Sequence, residues 1–241
     1  MPSSSDARVV DCTRAGRRFT QAPLDTHTTR KSPRYCNWSM RPVSDVPASQ
    51  EIIDRDKFLT EFRTDAYLRD FYTKVEDPAM QMVLNCLPNI VTRLGNVKRV
   101  LDFGAGPTIH VAASFRNQAT EIYLADYLPQ NRKELSLWCE GRSDFDWSEP
   151  LKMILSQEGN SWSDLDQMIA LTRKKICGVY HCDCFASPSV EMPAEMQGTF
   201  EVVVTIFCVE YCCKTYEEYK NAIKNIVDQI RPGGTLHLSI L

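Results

Sequence analysis

The fold of this chain is decided by residues 99–110, which read RVLDFGAGPTIH. Residues 100–103 are a short apolar run containing one acid, a pattern typical of a buried strand in a parallel sheet. Gly104 and Gly106 allow backbone turns that a side chain would obstruct, and Pro107 suits the first turn of a helix. The stretch therefore predicts a strand, a turn and a helix N-terminus, where a ligand can contact bare backbone.

The glycine spacing distinguishes this loop from the loop of NAD-binding proteins. A Rossmann dinucleotide loop has a third glycine that lets the helix pack against the strand, and here that position is Ile109. Asp102, two residues before Gly104, is also unlike that fingerprint. An NAD(P)-dependent oxidoreductase is therefore disfavoured, and some other α/β turn remains an alternative interpretation.

The rest of the chain predicts helices alternating with parallel strands. Helical spacing of apolar residues begins near Ser49, and residues 77–95 form a capped helix just before the glycine loop. Residues 144–175 are expected to be mostly helical, and so are residues 215–230. The expected strands are residues 100–103, 121–126, 176–182, 200–207 and 235–241.

Composition bounds the class of protein. Of the 241 residues 43% are apolar and 24% charged, as in ordinary globular proteins, and the net charge of -3 gives no reason to expect a nucleic-acid partner. The sequence has neither an apolar run long enough to span a membrane nor the apolar core of a signal peptide. We therefore expect a cytoplasmic monomer that acts on a small molecule, without nucleic-acid or membrane partners.

The N-terminal part differs in composition from the rest. Residues 1–47 are rich in Ser, Thr, Arg and Pro and predict a disordered tail, because they show no apolar periodicity. Their arginines resemble a mitochondrial transit peptide, but Asp6, Asp11 and Asp25 argue against one. Residues 48–241 are expected to form one domain, with a helical lid over residues 50–95 and a sheet core over residues 98–241.

Ten cysteines invite other interpretations. Most lie in apolar strands and helices, and the pairs Cys182/Cys184 and Cys212/Cys213 lack the C-x-x-C spacing of a structural zinc site. A metal site that includes His181 is the alternative. Buried thiols are favoured over a metal site or a disulfide scaffold.

Two acids end predicted strands at the edge where open α/β sheets bind ligands. Asp126 lies about 20 residues beyond the glycine loop, where a carboxylate accepts both hydroxyls of a ribose. A helix N-cap is the alternative role for Asp126. Asp183 is placed to accept the amino group of an adenine, with Cys184 against the ring, and a cap or turn role is the alternative.

Several segments, in one order, resemble the small-amine N-methyltransferase family, which includes nicotinamide, phenylethanolamine and indolethylamine N-methyltransferases. The resemblance covers residues 58–241, and its most specific parts are a tyrosine segment and an Asp-Trp-Ser segment. The matching segments are residues 62–72, 102–110, 126–131, 145–148, 207–210 and 231–234.

The resemblance implies an α/β fold of the class I S-adenosylmethionine (SAM) methyltransferase type, Rossmann-like, with helices on both faces of a mostly parallel sheet. SAM is the implied cofactor, and no metal is implied. Because the sulfonium leaves as a neutral thioether, we expect no catalytic base. The implied cofactor contacts are Tyr67, Tyr72, Gly104, Ala105, Gly106, His110, Asp126, Asn131, Asp183, Cys184 and Ile206. The implied substrate contacts are Glu210, for the amine, and Tyr67.

The chain departs from the family's pattern in two ways. His110 stands where the family usually has tyrosine, which alters one cofactor contact. Family members also continue past the fifth strand, whereas this sequence ends at Leu241. The C-terminal strands are therefore expected to be missing, which predicts an unpaired sheet edge and poor solubility or partnering.

Two functions are compatible with this sequence. The first is SAM-dependent methyl transfer to the nitrogen of a small amine or pyridine. The alternative is a catalytically inactive SAM-binding or interaction protein. The sequence does not choose among nicotinamide, phenylethanolamine, tryptamine and other amines.

Overall fold

The computed structural model of the protein describes residues 8–11 and 55–239. Its strands are β1 (Arg8–Asp11), β2 (Val97–Phe103), β3 (Ala119–Asp126), β4 (Ile176–His181), β5 (Phe200–Ile206) and β6 (Ile230–Ser239). They form one sheet in the order β1-β6-β5-β2-β3-β4, and every neighbouring pair is parallel. The predicted parallel sheet is confirmed.

Helices cover both faces of the sheet. They are α1 (Phe58–Glu61), α2 (Thr64–Tyr72), α3 (Pro78–Leu94), α4 (His110–Phe115), α5 (Pro129–Cys139), α6 (Ser148–Gln157), α7 (Leu165–Lys175), α8 (Val209–Cys212) and α9 (Tyr216–Val227). Short 3-10 turns lie at Arg55–Lys57, Trp162–Asp164 and Ala194–Met196. Helices α1 to α3 precede the core of the sheet and α6 and α7 lie in the long segment before β4, in agreement with the helical patterns of the sequence. The role of α1 to α3 as a lid stays a prediction, and they are called the lid helices below.

The strand order places a crevice between β2 and β5. From β2 the chain moves outward through β3 to β4, and it then crosses back to pair β5 with the other side of β2. Loops that leave β2 and β5 therefore diverge at the carboxyl ends of these strands. Such a switch point is where open α/β sheets bind ligands.

Side chains alternate between two cores because successive residues of a strand face opposite sides. Val100 of β2 and Val202 of β5 pack with α3, α4 and α6, whereas Leu101 and Val203 pack with α9. All four are buried. The central strands are apolar on both faces, as expected for strands covered by two helical layers.

Strand β1 corrects the prediction of a tail without structure over residues 1–47. Arg8–Asp11 pairs in parallel with β6, from Arg8 opposite Thr235 to Asp11 opposite Leu238. An edge strand needs hydrogen bonds to one neighbour only, so four residues without apolar periodicity suffice and the sequence gives little signal. The rest of residues 1–47 lies outside the described residues. The outer edge of β6, which the sequence predicts to be unpaired, is paired over these four residues.

Candidate functional site

A cavity of about 970 Å³ lies at the carboxyl ends of β2, β3, β4 and β5. Its walls come from the lid helices, the glycine loop after β2, the start of α5, the turn after β4 and the segment after β5. This volume is at the upper end of the range of about 300 to 1,000 Å³ for ligand sites. The cavity has room for a nucleoside cofactor and a small second ligand.

The structure places the predicted cofactor contacts around this cavity. The lining includes Tyr67, Tyr72, Gly104, Ala105, Gly106, His110, Asp126, Asn131, Asp183, Cys184 and Ile206. Glu210, the predicted substrate contact, lies half-buried in the first turn of α8 and is not part of this lining, although Tyr211 and Cys212 beside it are. Nine of these residues meet because they lie at or shortly after the carboxyl ends of parallel strands, and α2 brings Tyr67 and Tyr72 over the same edge of the sheet.

The glycine loop is fixed by its contacts with the neighbouring strand. The backbone N–H groups of Gly104 and Ala105 both donate to the carbonyl oxygen of Ala125, each over 2.9 Å. Gly104 has φ of +73°, and a Cβ atom there would lie 2.2 Å from Sγ of Cys208. Only glycine therefore allows β2 to turn this close to the segment after β5.

Asp126 ends β3 with its carboxylate turned toward the glycine loop. Oδ2 accepts from the backbone N of Gly106 over 2.8 Å, and Oδ1 accepts from the backbone N of Leu128 over 2.9 Å. Burial raises the pKa of this carboxyl above its ordinary value, and these hydrogen bonds limit the rise. The contact with Leu128 is a turn contact and not a helix cap, because Leu128 itself is the N-cap residue of α5. The carboxylate also lies in the cavity wall, where it can accept a ribose hydroxyl.

Asn131 joins the lid to this acid. Its Nδ2 donates to Oδ1 of Asp126 over 3.1 Å, and its Oδ1 accepts from the Thr64 hydroxyl over 2.8 Å. Thr64 is the first residue of α2, whereas Asn131 lies in the first turn of α5 and is buried. The amide therefore positions Asp126 and ties the lid helix to it, a link that sequence spacing does not reveal.

Two lid tyrosines close the cavity near the glycine loop. The rings of Tyr67 and Tyr72 lie 6.0 Å apart, and each side chain acts on the pKa of the other's hydroxyl. Burial raises the pKa of Tyr67 to about 12 and raises that of Tyr72 well above its ordinary value. Both phenols are therefore neutral near pH 7, and they make a largely apolar wall against solvent.

His110 stands beneath this lid. Its ring stacks on Tyr72 at a centroid distance of 5.7 Å, and it is only 4% exposed. Neither ring nitrogen has a hydrogen-bond partner among the described residues. Because burial lowers the pKa of His110 to about 4, the ring is neutral near pH 7 and offers one donor and one acceptor to a ligand.

The turn after β4 forms the opposite end of the cavity. Oδ1 of Asp183 accepts from the backbone N of Phe185 over 2.8 Å, and the backbone N of Asp183 donates to the carbonyl of Ser189 over 2.9 Å. The turn role proposed for Asp183 is therefore present in the structure. Its carboxyl group and Cys184 also line the cavity, where an adenine ring can lie against them.

Sequence reasoning missed two acids of the lining. Asp102 is 2% exposed, and its Oδ2 has no hydrogen-bond partner among the described residues. Burial and the nearby Asp126 raise the pKa of Asp102 well above its ordinary value. Asp77 caps α3, accepting from the backbone N of Ala79 over 2.9 Å, and also lines the cavity. The position of Asp102 in the loop motif was the available signal.

The acids of the lining favour a cationic ligand, because a cation would stabilise the ionised carboxylates that burial disfavours. Among the described residues, the lining has four acids, Asp77, Asp102, Asp126 and Asp183, and one arginine, Arg55. Arg55 already donates to Oε2 of Glu218 over 3.2 Å. The orphaned oxygen of Asp102 and the excess of acids fit the sulfonium and ammonium groups of SAM.

Within the described residues there is no metal-binding cluster, disulfide or membrane-spanning helix. In residues 8–11 and 55–239 no group of three or more His, Cys, Asp or Glu side chains is arranged to hold a metal ion. The eight cysteines of these residues are free thiols. Over the same part of the chain, no helix combines the length and the apolarity needed to cross a membrane.

The loop, the acid at the end of the next strand and the order of the sheet define a class I SAM-dependent methyltransferase. A profile of the NNMT/PNMT/TEMT family matches residues 50–241. The chain belongs to this family.

Individual relatives agree with this assignment. The chain is similar to the nicotinamide N-methyltransferase of Caenorhabditis elegans, with 40% identity over 73% of this chain and 67% of that protein. The rabbit (Oryctolagus cuniculus) indolethylamine N-methyltransferase is 28% identical over 75% of this chain and 70% of its own length. The mouse (Mus musculus) phenylethanolamine N-methyltransferase is 29% identical over 73% of this chain and 62% of its own length. The chain thus spans about two thirds of the length of these curated relatives.

Solved structures add nothing to this assignment. The glycopeptide N-methyltransferase MtfA in complex with SAM matches 64% of this chain and 53% of its own, with a TM-score of 0.42 and 14% identity. A likeness of that strength does not identify a substrate.

Proposed function

We propose that this chain transfers the methyl group of SAM to the nitrogen of a small aromatic amine or pyridine. Family membership supports N-methyl transfer, because the relatives above are named N-methyltransferases. The observation that carries the proposal is the acid-rich cavity, with its orphaned Asp102 oxygen beside a glycine loop and a ribose-type acid. Residues 48–241 form the methyltransferase domain in this proposal.

The chain's own residues would hold SAM along the edge of the sheet. Asp126 would accept the ribose hydroxyls, and the backbone of the loop from Gly104 to Gly106 would lie against the methionine part. Asp102 would face the methionine ammonium, and the neutral ring of His110 would donate to the carboxylate. Asp183 and Cys184 would contact the adenine. When bound, SAM supplies an activated methyl group on a cationic sulfur.

The second ligand would occupy the aromatic part of the cavity. Rings of Phe58, Phe62, Tyr67, Phe207 and Tyr211 line that part, together with the carboxyl group of Asp77. Flat rings stack on such walls, and their faces attract cations. A flat amine, and the positively charged product of pyridine methylation, therefore suit this wall better than an anionic substrate does.

Catalysis in this site is alignment and exclusion of water. SAM would supply the methyl group, and the walls of the cavity would hold the acceptor nitrogen with its lone pair directed at that group. The Tyr67 and Tyr72 hydroxyl pair would keep water from the methyl group without carrying charge. An amine substrate releases its proton to solvent after transfer, and a pyridine has none to release, so no side chain needs to act as a base.

The first test is calorimetric titration of the chain with SAM, followed by transfer of labelled methyl from SAM to a panel of amines and pyridines. Asp126→Asn should weaken SAM binding about 10- to 100-fold, because charge-assisted hydrogen bonds are worth roughly 1.5 to 3 kcal/mol. Asp166→Asn is the matched control, since Asp166 is an exposed acid of α7 outside the cavity. A folded chain that does not bind SAM would overturn the proposal.

The same experiment separates the second candidate function. SAM binding without turnover on any amine or pyridine would favour a SAM-binding or interaction protein without catalysis. Turnover would decide for the enzyme, and the preferred member of the panel would identify the substrate class.

The proposal also covers the cellular compartment, the oligomeric state and the partners of the protein. Eight free thiols in the described residues suit a reducing compartment, and we propose the cytoplasm on that basis. We also propose a monomer, which sedimentation tests. Nucleic acid and membranes are not expected as partners, since the chain carries a net charge of -3.

A further inference from the structure

A cluster of thiols lies at one end of the cavity and has no part in methyl transfer. It consists of Cys184, in the turn after β4, and Cys208 and Cys212, at the two ends of α8. The Cys212 thiol lies close enough to the thiols of Cys184 and Cys208 for both to act on its pKa. Arg55 joins the two segments, because its Nη1 donates to the backbone carbonyl of Cys212 and its guanidinium carbon lies 4.7 Å from the ring centroid of Phe185. Three sulfur atoms from two separate segments therefore meet in the wall of a cavity.

We propose that Cys184 and Cys212 form a peroxide-sensitive thiol pair, which a hydroperoxide converts to a disulfide across the cofactor cavity. Cys212 attacks the peroxide O–O bond, becomes a sulfenic acid and releases water or an alcohol. The Cys184 thiol then attacks that sulfur, forms the S–S bond and releases water. Two thiols are thus oxidised while one hydroperoxide is reduced.

The surroundings of Cys212 favour it as the attacking thiol. The Arg55 guanidinium lies beside it, with Nη1 donating to the backbone carbonyl of Cys212 over 3.1 Å. Hydrogen bonds from the Cys184 and Cys208 thiols and the charge of Arg55 lower the pKa of Cys212. Two acids lie nearby, Asp183 in the cavity lining and Glu218 as the ion-pair partner of Arg55, and neither is among the groups that shift the pKa of Cys212. The thiolate is the reactive form of cysteine.

Backbone geometry selects Cys184 rather than Cys208 as the second thiol. Cys208 is the N-cap of α8 and Cys212 is its last residue, four positions later. Cβ atoms at that spacing on a helix are about 5 to 6 Å apart, whereas a disulfide needs about 3.5 to 4.5 Å. Cys184 lies in a turn of another segment, which can adjust to meet Cys212.

Access differs sharply among the cysteines of the described residues. Cys86 and Cys177 are exposed, on α3 and β4, far from the cavity. Cys184 is 6% exposed, and together with Cys212 it lines the cavity wall, so a small oxidant reaches both through the cavity. A bound ligand that fills this end would shield the pair. The disulfide, in turn, would tie the turn after β4 to α8 and reduce the affinity for that ligand.

The test treats the reduced full chain with hydrogen peroxide, with and without saturating SAM, and blocks the remaining thiols before peptide mapping under non-reducing conditions. We expect a Cys184–Cys212 crosslinked peptide that dithiothreitol removes, and formation at least about threefold slower when SAM is bound. Cys212→Ala should abolish the crosslink and slow peroxide consumption at Cys184. Cys86→Ala, on the exposed face of α3, is the matched control and should leave the crosslink unchanged.

Two results would overturn the inference. One is oxidation of Cys86 and Cys177 before any loss of the Cys184 and Cys212 thiols. The other is a crosslink that joins Cys208 to Cys212 in the unmodified chain. Because the peptide map needs no methyl transfer, the inference about the thiol pair stands or falls independently of the proposed enzyme activity. The SAM arm alone depends on cofactor binding.

Discussion

Replacing Gly104 by alanine tests how closely the cofactor loop approaches the segment after β5. The added Cβ would lie 2.2 Å from Sγ of Cys208 and 2.8 Å from its Cβ, distances at which atoms overlap. Gly106 provides a matched control in the same loop, because its φ of +62° is similar but an added Cβ meets nothing nearer than 3.9 Å. The two variants share backbone strain and differ in overlap.

The expected magnitudes follow from these two terms. A side chain in the left-handed region costs about 1 to 2 kcal/mol, which applies to both variants. Overpacking adds about 1 to 3 kcal/mol for Gly104→Ala alone. We therefore expect Gly104→Ala to lower the free energy of unfolding more than Gly106→Ala does, by about 1 to 3 kcal/mol, and to weaken SAM binding more.

Urea unfolding followed by far-UV circular dichroism measures the difference, and calorimetry measures SAM binding. The double variant Gly104→Ala/Cys208→Ala should recover part of the lost stability, because it removes the 2.2 Å contact and leaves the 2.8 Å one. Equal destabilisation by the two glycine substitutions would refute the close approach. So would a double variant no more stable than Gly104→Ala.

Three further predictions concern the lid, the core and pH. Thr64→Val removes the donor to Asn131 Oδ1, so it should lower the free energy of urea unfolding by about 1 to 3 kcal/mol and weaken SAM binding severalfold. An unchanged SAM affinity would contradict a link between α2 and cofactor binding. Arg116→Met removes the buried guanidinium that donates to the half-buried carboxylate of Glu158 over 2.7 Å, and it should cost about 1 to 3 kcal/mol in the same assay. His110 has a lowered pKa, so the unfolded chain protonates first as pH falls. As the pH falls from about 6.5 to 4, the free energy of unfolding of the wild type should therefore drop by up to about 3 kcal/mol relative to that of His110→Phe. A difference that stays constant over this range would contradict a buried neutral ring.

The sequence predicted those parts of the fold in which the local spacing of apolar residues agrees with the tertiary structure. The central strands and the glycine loop carry strong signals, because apolar runs and positive φ angles restrict the residues allowed there. Strand β1 was missed, since an edge strand of four residues needs no apolar pattern. The register and order of strands come from tertiary contacts, which the sequence indicates only through topology rules.

The site residues that were predicted from the sequence are those that lie in recognised motifs. Most residues predicted to contact SAM line one cavity because their segments follow strand ends, whereas Tyr67 and Tyr72 reach it from α2. Glu210 is predicted from the resemblance alone, and its place beside the lining rather than in it depends on how α8 begins. Asp102 was overlooked because a buried acid in a strand looks structural until its unpartnered oxygen is seen.

The shared amide of Asn131 has a consequence for the order of events during turnover. Thr64 binds the same side chain that positions Asp126. If Asp126 binds the ribose as proposed, the free energy of holding α2 in place and the free energy of ribose binding are linked. Cofactor that arrives first would stabilise the closed lid and prepare the aromatic part of the cavity for the acceptor. The affinity measured for SAM alone would therefore include the free energy of forming the acceptor pocket. Such coupling favours an ordered mechanism in which SAM binds first.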